Sequence, residues 1–265
     1  MPKRPTCGFG GVDLSAATIP QLLHKRARLH PKKCFLQIWS HTEGLQQAVT
    51  YEQLHDRVME MRGALENLGV RRGAHVALLS HNCVEYLVVG LALMSLRAVP
   101  VHLNWRQPVN LLEATVKLAR CRLVFASPHF REAAQTICSA NRLRRPVDLV
   151  KFGQTLVDEH ADGSTFGATD TDIDAGGGGG SGHGTMVGDE TAVVFFTSGS
   201  TKQPKAVPHT HFELMWLAHQ YVVQLDEGKA DADGGSLCLF PFFHVMGYVH
   251  NFVYNLYVSS SVTCV

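Results

Sequence analysis

The sequence predicts a layered α/β fold of mostly parallel sheets flanked by helices. Between residues 75 and 152, short apolar segments rich in β-branched side chains alternate with helical patterns of about ten to fifteen residues, a spacing typical of β–α–β units. The 265 residues are 45% hydrophobic and 18% charged, a composition that suits one large or two modest domains with a buried core.

The first elements follow from apolar spacing and from residues that start or stop helices. They are a helix, a strand and a second helix, predicted over 19–29, 34–39 and 50–68. Thr50 and Gln53 form a capping-box pattern at the start of the second helix. Gly69 follows its apolar stripe and is expected to end it.

The middle of the chain alternates between strands and helices. Strands are predicted over 75–80, 98–103, 122–127 and 147–152, and helices over 84–96, 109–119 and 131–140. This order implies right-handed crossovers and a parallel sheet covered on both faces. The most apolar helix, 84–96, is shorter than the ~20 residues that a bilayer requires, so no transmembrane segment is predicted.

The stretch 158–189 differs from the rest of the chain. It is acidic, rich in Gly, Ser and Thr, and contains five consecutive glycines. Such a composition buries too little apolar surface to offset the entropy of ordering, so we expect a mobile loop. The sequence therefore predicts a first α/β subdomain over 1–157, a glycine-rich insertion over 158–190, and the start of a second α/β subdomain over 191–265.

A candidate phosphate site lies in residues 191–211, TAVVFFTSGSTKQPKAVPHTH. A buried strand over 191–196 leads into small residues, four of them with hydroxyls: Thr197, Ser198, Gly199, Ser200 and Thr201. Small side chains let backbone N–H groups approach phosphate oxygens, and a nearby lysine adds charge. We expect the helix predicted over 212–224 to add the positive end of its dipole. An ordinary solvated turn is the alternative, and the Walker A pattern does not fit.

The run TSGSTKQPKAVPHTH resembles the phosphate-binding signature of the adenylate-forming, or AMP-binding, superfamily. LNWR at 103–106 is similar to the acyl-CoA synthetase branch, and PFFHVMG around His244 resembles that family's next motif. Four positions depart from the pattern. Arg97, Lys202 and Ala206 stand where the family usually has glycine, and Ala74 stands where it usually has aspartate. If the backbone at Lys202 or Ala206 needs a positive φ, a side chain there costs about 1 kcal/mol.

The resemblance implies an activity and a set of site residues. Family members activate a carboxylic acid with ATP and Mg²⁺, forming an acyl-adenylate that coenzyme A then captures as a thioester. The resemblance implies that the ATP phosphates are held by Thr197, Ser198, Gly199, Ser200, Thr201 and Lys205. It also implies that His244, as a catalytic residue, lines the acyl pocket. A solvated Lys205 and a core histidine at 244 are the alternatives.

The resemblance covers nearly all of the chain, whereas the chain covers only about the first half of a family member. The family's later adenine, ribose and metal motifs, and its C-terminal domain with a catalytic lysine, are not found before Val265. We therefore expect an acyl-CoA synthetase-like ligase, fatty acids being one substrate class, that is inactive as this fragment. The alternative is a non-catalytic nucleotide-binding or interaction protein of the same fold.

Composition and charge exclude several other classes. The net charge of +1 gives no support for nucleic-acid binding, which needs a strongly basic face. Seven cysteines without a C-x-x-C pattern favour neither a metal site nor a disulfide framework, and free thiols suit a reducing, cytoplasmic compartment. A peroxisomal or other organellar location stays open. His209 and His211 lack a third ligand at a matching spacing, so no zinc site is predicted.

The N-terminal sequence MPKRPTCGFGG has no apolar segment behind its basic residues, so no secretory signal is expected. The expected partner is a small-molecule carboxylate. No oligomeric state is predicted.

Overall fold

The computed structural model describes residues 18–152, 187–197, 204–225 and 234–265. Its strands are β1 (Cys34–Ser40), β2 (Gly44–Thr50), β3 (His75–Leu79), β4 (Val99–His102), β5 (Leu123–Ala126), β6 (Val147–Asp148), β7 (Thr191–Thr197), β8 (Lys205–Thr210), β9 (Gly235–Cys238) and β10 (Ser261–Cys264). Its α-helices are α1 (Ile19–Leu29), α2 (Tyr51–Asn67), α3 (Val84–Ser95), α4 (Val109–Leu118), α5 (Arg131–Ala140), α6 (His211–Leu225) and α7 (Tyr254–Val258). A π-helix, Met246–Val253, leads into α7, and short 3₁₀ turns cover Pro128–Phe130 and Val187–Asp189.

The strands form two sheets. The larger has the order β6-β5-β3-β4-β7-β8, and only β7 and β8 run antiparallel. The smaller has the order β2-β1-β10-β9, and only β1 and β2 run antiparallel. The α/β class with mostly parallel, helix-flanked sheets is therefore confirmed.

Helices cover both faces of the larger sheet. Successive side chains of a strand point to opposite faces, so each strand contributes apolar side chains to two cores. In β3, Val76 and Leu78 join the core that contains α2 and α3. Ala77 and Leu79 join the opposite core, with α4 and α5. Helix α3 is buried around nearly its whole circumference, which explains why its sequence is so apolar.

Both sheets combine strands from before and after the glycine-rich stretch. Strands β7 and β8 extend the sheet of β3–β6, and β9 and β10 extend the sheet of β1 and β2. Most of the stretch, 158–186, lies outside the described residues. The three-part division at 158–190 stays a prediction.

Two strands were not expected from the sequence. Strand β2 exposes most of its side chains, so it has no apolar alternation to detect. Strand β8 has three exposed residues, three partly exposed ones and none that is buried. It contains Pro208, which is tolerated because β8 is an edge strand. The strand expected over 147–152 is only two residues long, Val147–Asp148.

Four crossover helices end with the same backbone motif. Helix α2 is followed by Gly69 at φ 83°, whereas α3, α4 and α5 are followed by Arg97, Arg120 and Arg142 at φ 57°, 51° and 55°. The next N–H after each arginine bonds back into the helix, as in Ala98 N to Leu93 O at 2.9 Å. These are Schellman ends, a motif that favours glycine because of its left-handed residue. Each of the three arginines therefore occupies a strained position.

Candidate functional site at the carboxyl edge of the large sheet

The parallel strands of the large sheet end together at one edge, which we call the carboxyl edge. In open α/β sheets, ligands bind in the crevice beyond this edge. Side chains at or just after the ends of β3, β4, β5 and β7 gather there, namely His81, Trp105, Arg106, His129, Phe130 and Thr197. The candidate site therefore draws on segments far apart in the sequence.

The candidate phosphate loop joins two antiparallel strands, β7 and β8, whose adjoining ends lie at this edge. Thr197 is the last residue of β7 and Lys205 the first of β8, and the two lie directly opposite in the antiparallel register. Both are exposed. Ser198, Gly199, Ser200 and Thr201 lie outside the described residues. The structure thus brings together the two described ends of the predicted loop, a hydroxyl and a lysine.

The expected contribution of a helix dipole to this loop is wrong. Helix α6 begins at His211, directly after β8, and Thr210 is paired with Thr191 at the opposite end of β7. Six residues of strand span about 20 Å. The start of α6 therefore lies far from the loop, because the unexpected strand β8 separates the two.

The departure at Ala206 carries no backbone cost. Ala206 lies in β8, paired with Phe196, and it is not among the described residues with a positive φ. Alanine is therefore compatible with this position. Lys202, the other substituted glycine position of the loop, lies outside the described residues.

A second loop, which contains His244, is anchored to the same edge by Asn82. The side-chain amide of Asn82 donates to the carbonyl of Phe240 at 3.0 Å. Its oxygen accepts the N–H of Phe242 at 2.8 Å. Phe243 then packs edge-on against Trp105, with ring centroids 5.8 Å apart. Asn82 follows β3, so these contacts hold the His244 loop beside the ends of β3 and β4.

His244 is exposed, so the core-histidine alternative is wrong. Its Nδ1 accepts the N–H of Met246 at 3.2 Å. An Nδ1 that accepts leaves the proton of the neutral ring on Nε2. His244 can therefore offer an oriented N–H donor to an oxygen of a ligand.

Close backbone contacts explain why position 247, in the PFFHVMG motif, is a glycine. A Cβ on Gly247 would lie 2.8 Å from the carbonyl oxygen of Phe240, and closer still to that of Pro241. Only glycine allows the π-helix to start this close to the loop. π-Helical segments are frequent at functional sites.

An aromatic and histidine cluster at the edge was not found by sequence reasoning. The ring of His81 lies 4.7 Å from Trp105, 5.0 Å from His129 and 4.8 Å from Phe130. Burial, together with His129, lowers the pKa of His81. The guanidinium of Arg106 lies 5.0 Å above the Trp105 ring. The sequence offered one indication of this cluster, because each of its residues follows a predicted strand by only a few positions.

A buried histidine, also missed, lies at the end of β4. His102 is hydrogen-bonded through Nδ1 to the hydroxyl of Tyr86 and stacks on Phe195 of β7 at 5.0 Å. Its Nε2 is buried without a partner. Burial lowers the pKa of His102 to about 3, so the ring is neutral at physiological pH and couples β4 to β7 by packing.

The other two histidines singled out in the sequence lie in β8 and at the start of α6. His211 Nδ1 accepts the backbone N–H of Ile19 at 3.3 Å, which ties the start of α1 to α6. His209 lies 3.8 Å from the carboxylate of Glu213. Across the four described stretches, no three His, Cys, Asp or Glu side chains are placed to hold a metal ion.

Comparison with known proteins identifies the class. The family model of AMP-binding enzymes matches residues 23–265, and the chain belongs to this family. Within the described residues, no helix is both long and apolar enough to cross a membrane.

Two curated relatives are similar over most of the chain. The 2-succinylbenzoate–CoA ligase of Oceanobacillus iheyensis is 26% identical over 87% of this chain and 41% of the relative. The crotonobetaine/carnitine–CoA ligase of Proteus mirabilis is 25% identical over 85% of this chain and 42% of the relative. The chain therefore spans about two fifths of their length.

A solved structure agrees on the fold. The O-succinylbenzoate coenzyme A synthetase of Bacillus subtilis, determined in complex with AMP, superposes with a TM-score of 0.68 at 22% identity. The match covers 92% of this chain and 55% of that protein. The chain therefore has the fold of the N-terminal part of an adenylate-forming enzyme.

Proposed function

We propose that this chain forms the phosphate-binding half of an ATP-dependent acyl-CoA ligase, which activates a small carboxylic acid as its adenylate and transfers the acyl group to coenzyme A. One observation supports this most directly: Thr197 and Lys205, which flank the Ser-Gly-Ser-Thr sequence, lie opposite each other at the carboxyl edge. The similarity to two CoA ligases supports the thioester product.

In this reaction an oxygen of the carboxylate attacks the α-phosphorus while pyrophosphate leaves. Both reactants are anions, so the protein contributes mainly positioning and charge neutralisation. The segment from Thr197 to Thr201 offers hydroxyls and backbone N–H groups to the β- and γ-phosphates. Lys205, exposed at the start of β8, adds positive charge beside the departing pyrophosphate. Mg²⁺ would be held by the phosphates and reduce their mutual repulsion.

His244 is assigned to the acyl side of the site. With Nδ1 accepting from Met246, its Nε2–H is free to donate to a carboxylate or adenylate oxygen. A donor that is already oriented loses little entropy when it binds the developing charge. The substitution His244→Gln should reduce turnover of the whole ligase more than it reduces ATP binding.

Hydroxylamine trapping tests the proposal. The chain is supplied with ATP, Mg²⁺, hydroxylamine and a panel of small carboxylic acids, and hydroxamate and pyrophosphate are measured. We expect ATP binding with little or no hydroxamate from these 265 residues, and turnover from a longer form that supplies the rest of a family member.

The outcomes separate the two candidate functions. ATP binding without turnover in any longer form favours a non-catalytic nucleotide-binding protein. Robust turnover by this chain alone would contradict the expected inactivity. Absence of ATP binding in every form would contradict both functions.

A further inference from the structure

The opposite edge of the large sheet, where the parallel strands begin, has a different chemistry, and we call it the amino edge. The loops that enter β3, β4, β5 and β6 contain eight of the fifteen arginines of the chain. All eight are exposed, and we call them the arginine row: Arg71, Arg72, Arg97, Arg120, Arg122, Arg142, Arg144 and Arg145.

The row is continuous because of the strand order. In space the loops follow the order β6, β5, β3, β4, so the arginines span three strand spacings, about 14 Å. The four loops, 141–146, 119–122, 68–74 and 96–98, contain no Asp or Glu. A chain of net charge +1 therefore concentrates its positive charge on one edge.

One end of the row already binds a carboxylate. Glu190, just before β7, accepts from Arg72 at 2.7 Å and from Arg97 at 3.3 Å. Both guanidiniums donate to the same carboxylate oxygen, Oε1, so two charge-assisted hydrogen bonds hold the glutamate. The Glu190 contact is therefore an example, within this chain, of a carboxylate bound by arginines of the row.

Four further arginines of the row are not neutralised in this way. Arg120, Arg122, Arg142 and Arg145 make no ion pair with any residue that the structure describes. Four helices, α2 to α5, end at this edge, and each helix end contributes about half a negative charge. Eight guanidiniums exceed what these helix ends and Glu190 together offset.

We propose that the arginine row is a docking site for an acidic segment of a partner protein, whose carboxylates bind as Glu190 does. Two features favour this partner over other polyanions. The four loops contain no aromatic side chain that could stack on nucleic-acid bases. Their apolar residues, such as Leu68 and Leu143, are not exposed, so none is available to enter a membrane.

A fluorescein-labelled peptide, (Glu-Gly)₈, tests the proposal by anisotropy with the full chain at low salt. The row variant combines Arg122→Gln, Arg142→Gln and Arg145→Gln. The charge-matched control combines Lys25→Gln, Arg28→Gln and Lys32→Gln, all exposed and in or just after α1. We expect the row variant to bind on the order of tenfold more weakly and the control to bind like the wild type. Binding should vanish at about 0.5 M salt.

Equal losses in the row variant and the control would overturn the proposal. So would row-dependent binding of phosphatidylserine vesicles or of a 20-base-pair DNA duplex when the peptide does not bind. A last variant replaces six acids of the chain itself, Asp158, Glu159, Asp162, Asp170, Asp172 and Asp174, by their amides. If this variant binds the peptide more than about tenfold more tightly, the chain's own acids occupy the row, and a separate partner is wrong. The single variant Arg122→Gln, with a smaller loss expected, repeats the test if the triple variant unfolds.

Discussion

The two edges of the large sheet are built from the same strands and differ in nearly every other respect. The carboxyl edge carries an exposed threonine and lysine, an oriented histidine and an aromatic cluster. The amino edge carries helix ends and eight exposed arginines. At the carboxyl edge glycine is required by close contact, whereas at the amino edge arginines occupy positions that glycine would suit better. The proposed ligand site and the arginine row therefore lie at opposite edges of one sheet.

The largest expected effect concerns a glycine at the carboxyl edge. Gly247→Ala should lower the free energy of unfolding by about 3 kcal/mol, because the new Cβ would collide with the carbonyls of Phe240 and Pro241. The matched control is Gly63→Ala within α2, where a Cβ meets nothing within 4 Å. This control should stabilise by about 1 kcal/mol. Urea unfolding measures both, and similar effects at the two sites would contradict the steric account.

The buried histidine beneath the carboxyl edge should make stability depend on pH. The pKa of His102 is lowered to about 3 in the folded state, so the unfolded chain binds more protons below its ordinary pKa of about 6.5. The contribution of neutral His102 to the free energy of unfolding is complete above pH 6.5 and decreases as the pH falls toward 3.

Between pH 7 and pH 5 the wild type should lose about 2 kcal/mol more unfolding free energy than His102→Gln. Urea midpoints at the two pH values measure the difference. His211, whose pKa burial lowers to about 4, is present in both proteins and cancels. An equal loss in the wild type and the variant would show that His102 is not held neutral.

Asn82, which joins the His244 loop to the end of β3, should show an intermediate effect. Asn82→Ala removes a donor to Phe240 and an acceptor from Phe242 and should cost about 1–2 kcal/mol. Asn82→Asp keeps the acceptor for Phe242 but places a carboxylate oxygen against the carbonyl of Phe240, so at pH 7 it should cost at least as much as alanine. If both variants are as stable as the wild type, the amide does not anchor the loop.

The smallest effects are expected at the helix ends of the amino edge. Arg120→Gly should stabilise by about 0.5 kcal/mol, because relief of the left-handed strain exceeds the added backbone entropy of glycine. Arg120→Ala should change little. Gly69→Ala, at the equivalent end of α2, should cost about 1 kcal/mol. Thermal unfolding can order the three variants, and destabilisation by Arg120→Gly would show that this arginine makes a compensating contact.

Local signals in the sequence predicted much of the fold. The helices 19–29 and 131–140 have the bounds that their apolar spacing predicts. The capping box of Thr50 and Gln53 is present, with hydrogen bonds of 2.9 and 3.2 Å. Strand β8 was not predicted because it is an exposed edge strand with a proline. Without this strand between them, the start of α6 was expected to lie beside the phosphate loop, and this expectation was wrong.

The candidate site was only partly predictable, for a topological reason. Thr197 and Lys205 are close in sequence, so one motif revealed both. His81, Trp105 and His129 follow three different strands, and only the parallel order β5-β3-β4 brings them together. The helix ends at Arg97, Arg120 and Arg142 lack the glycine that is usual at such ends. Their left-handed backbone could therefore not be predicted from the residue type.

The assignment of nucleotide binding to the carboxyl edge is tested most directly by calorimetry of ATP with Mg²⁺ on two lysine variants. Lys205→Ala removes a cation at the carboxyl edge, and Lys117→Ala removes an exposed cation in the last turn of α4, near the amino edge. The account predicts about tenfold weaker binding for Lys205→Ala, about 1.4 kcal/mol, and unchanged binding for Lys117→Ala. Equal affinities for the two variants would contradict it.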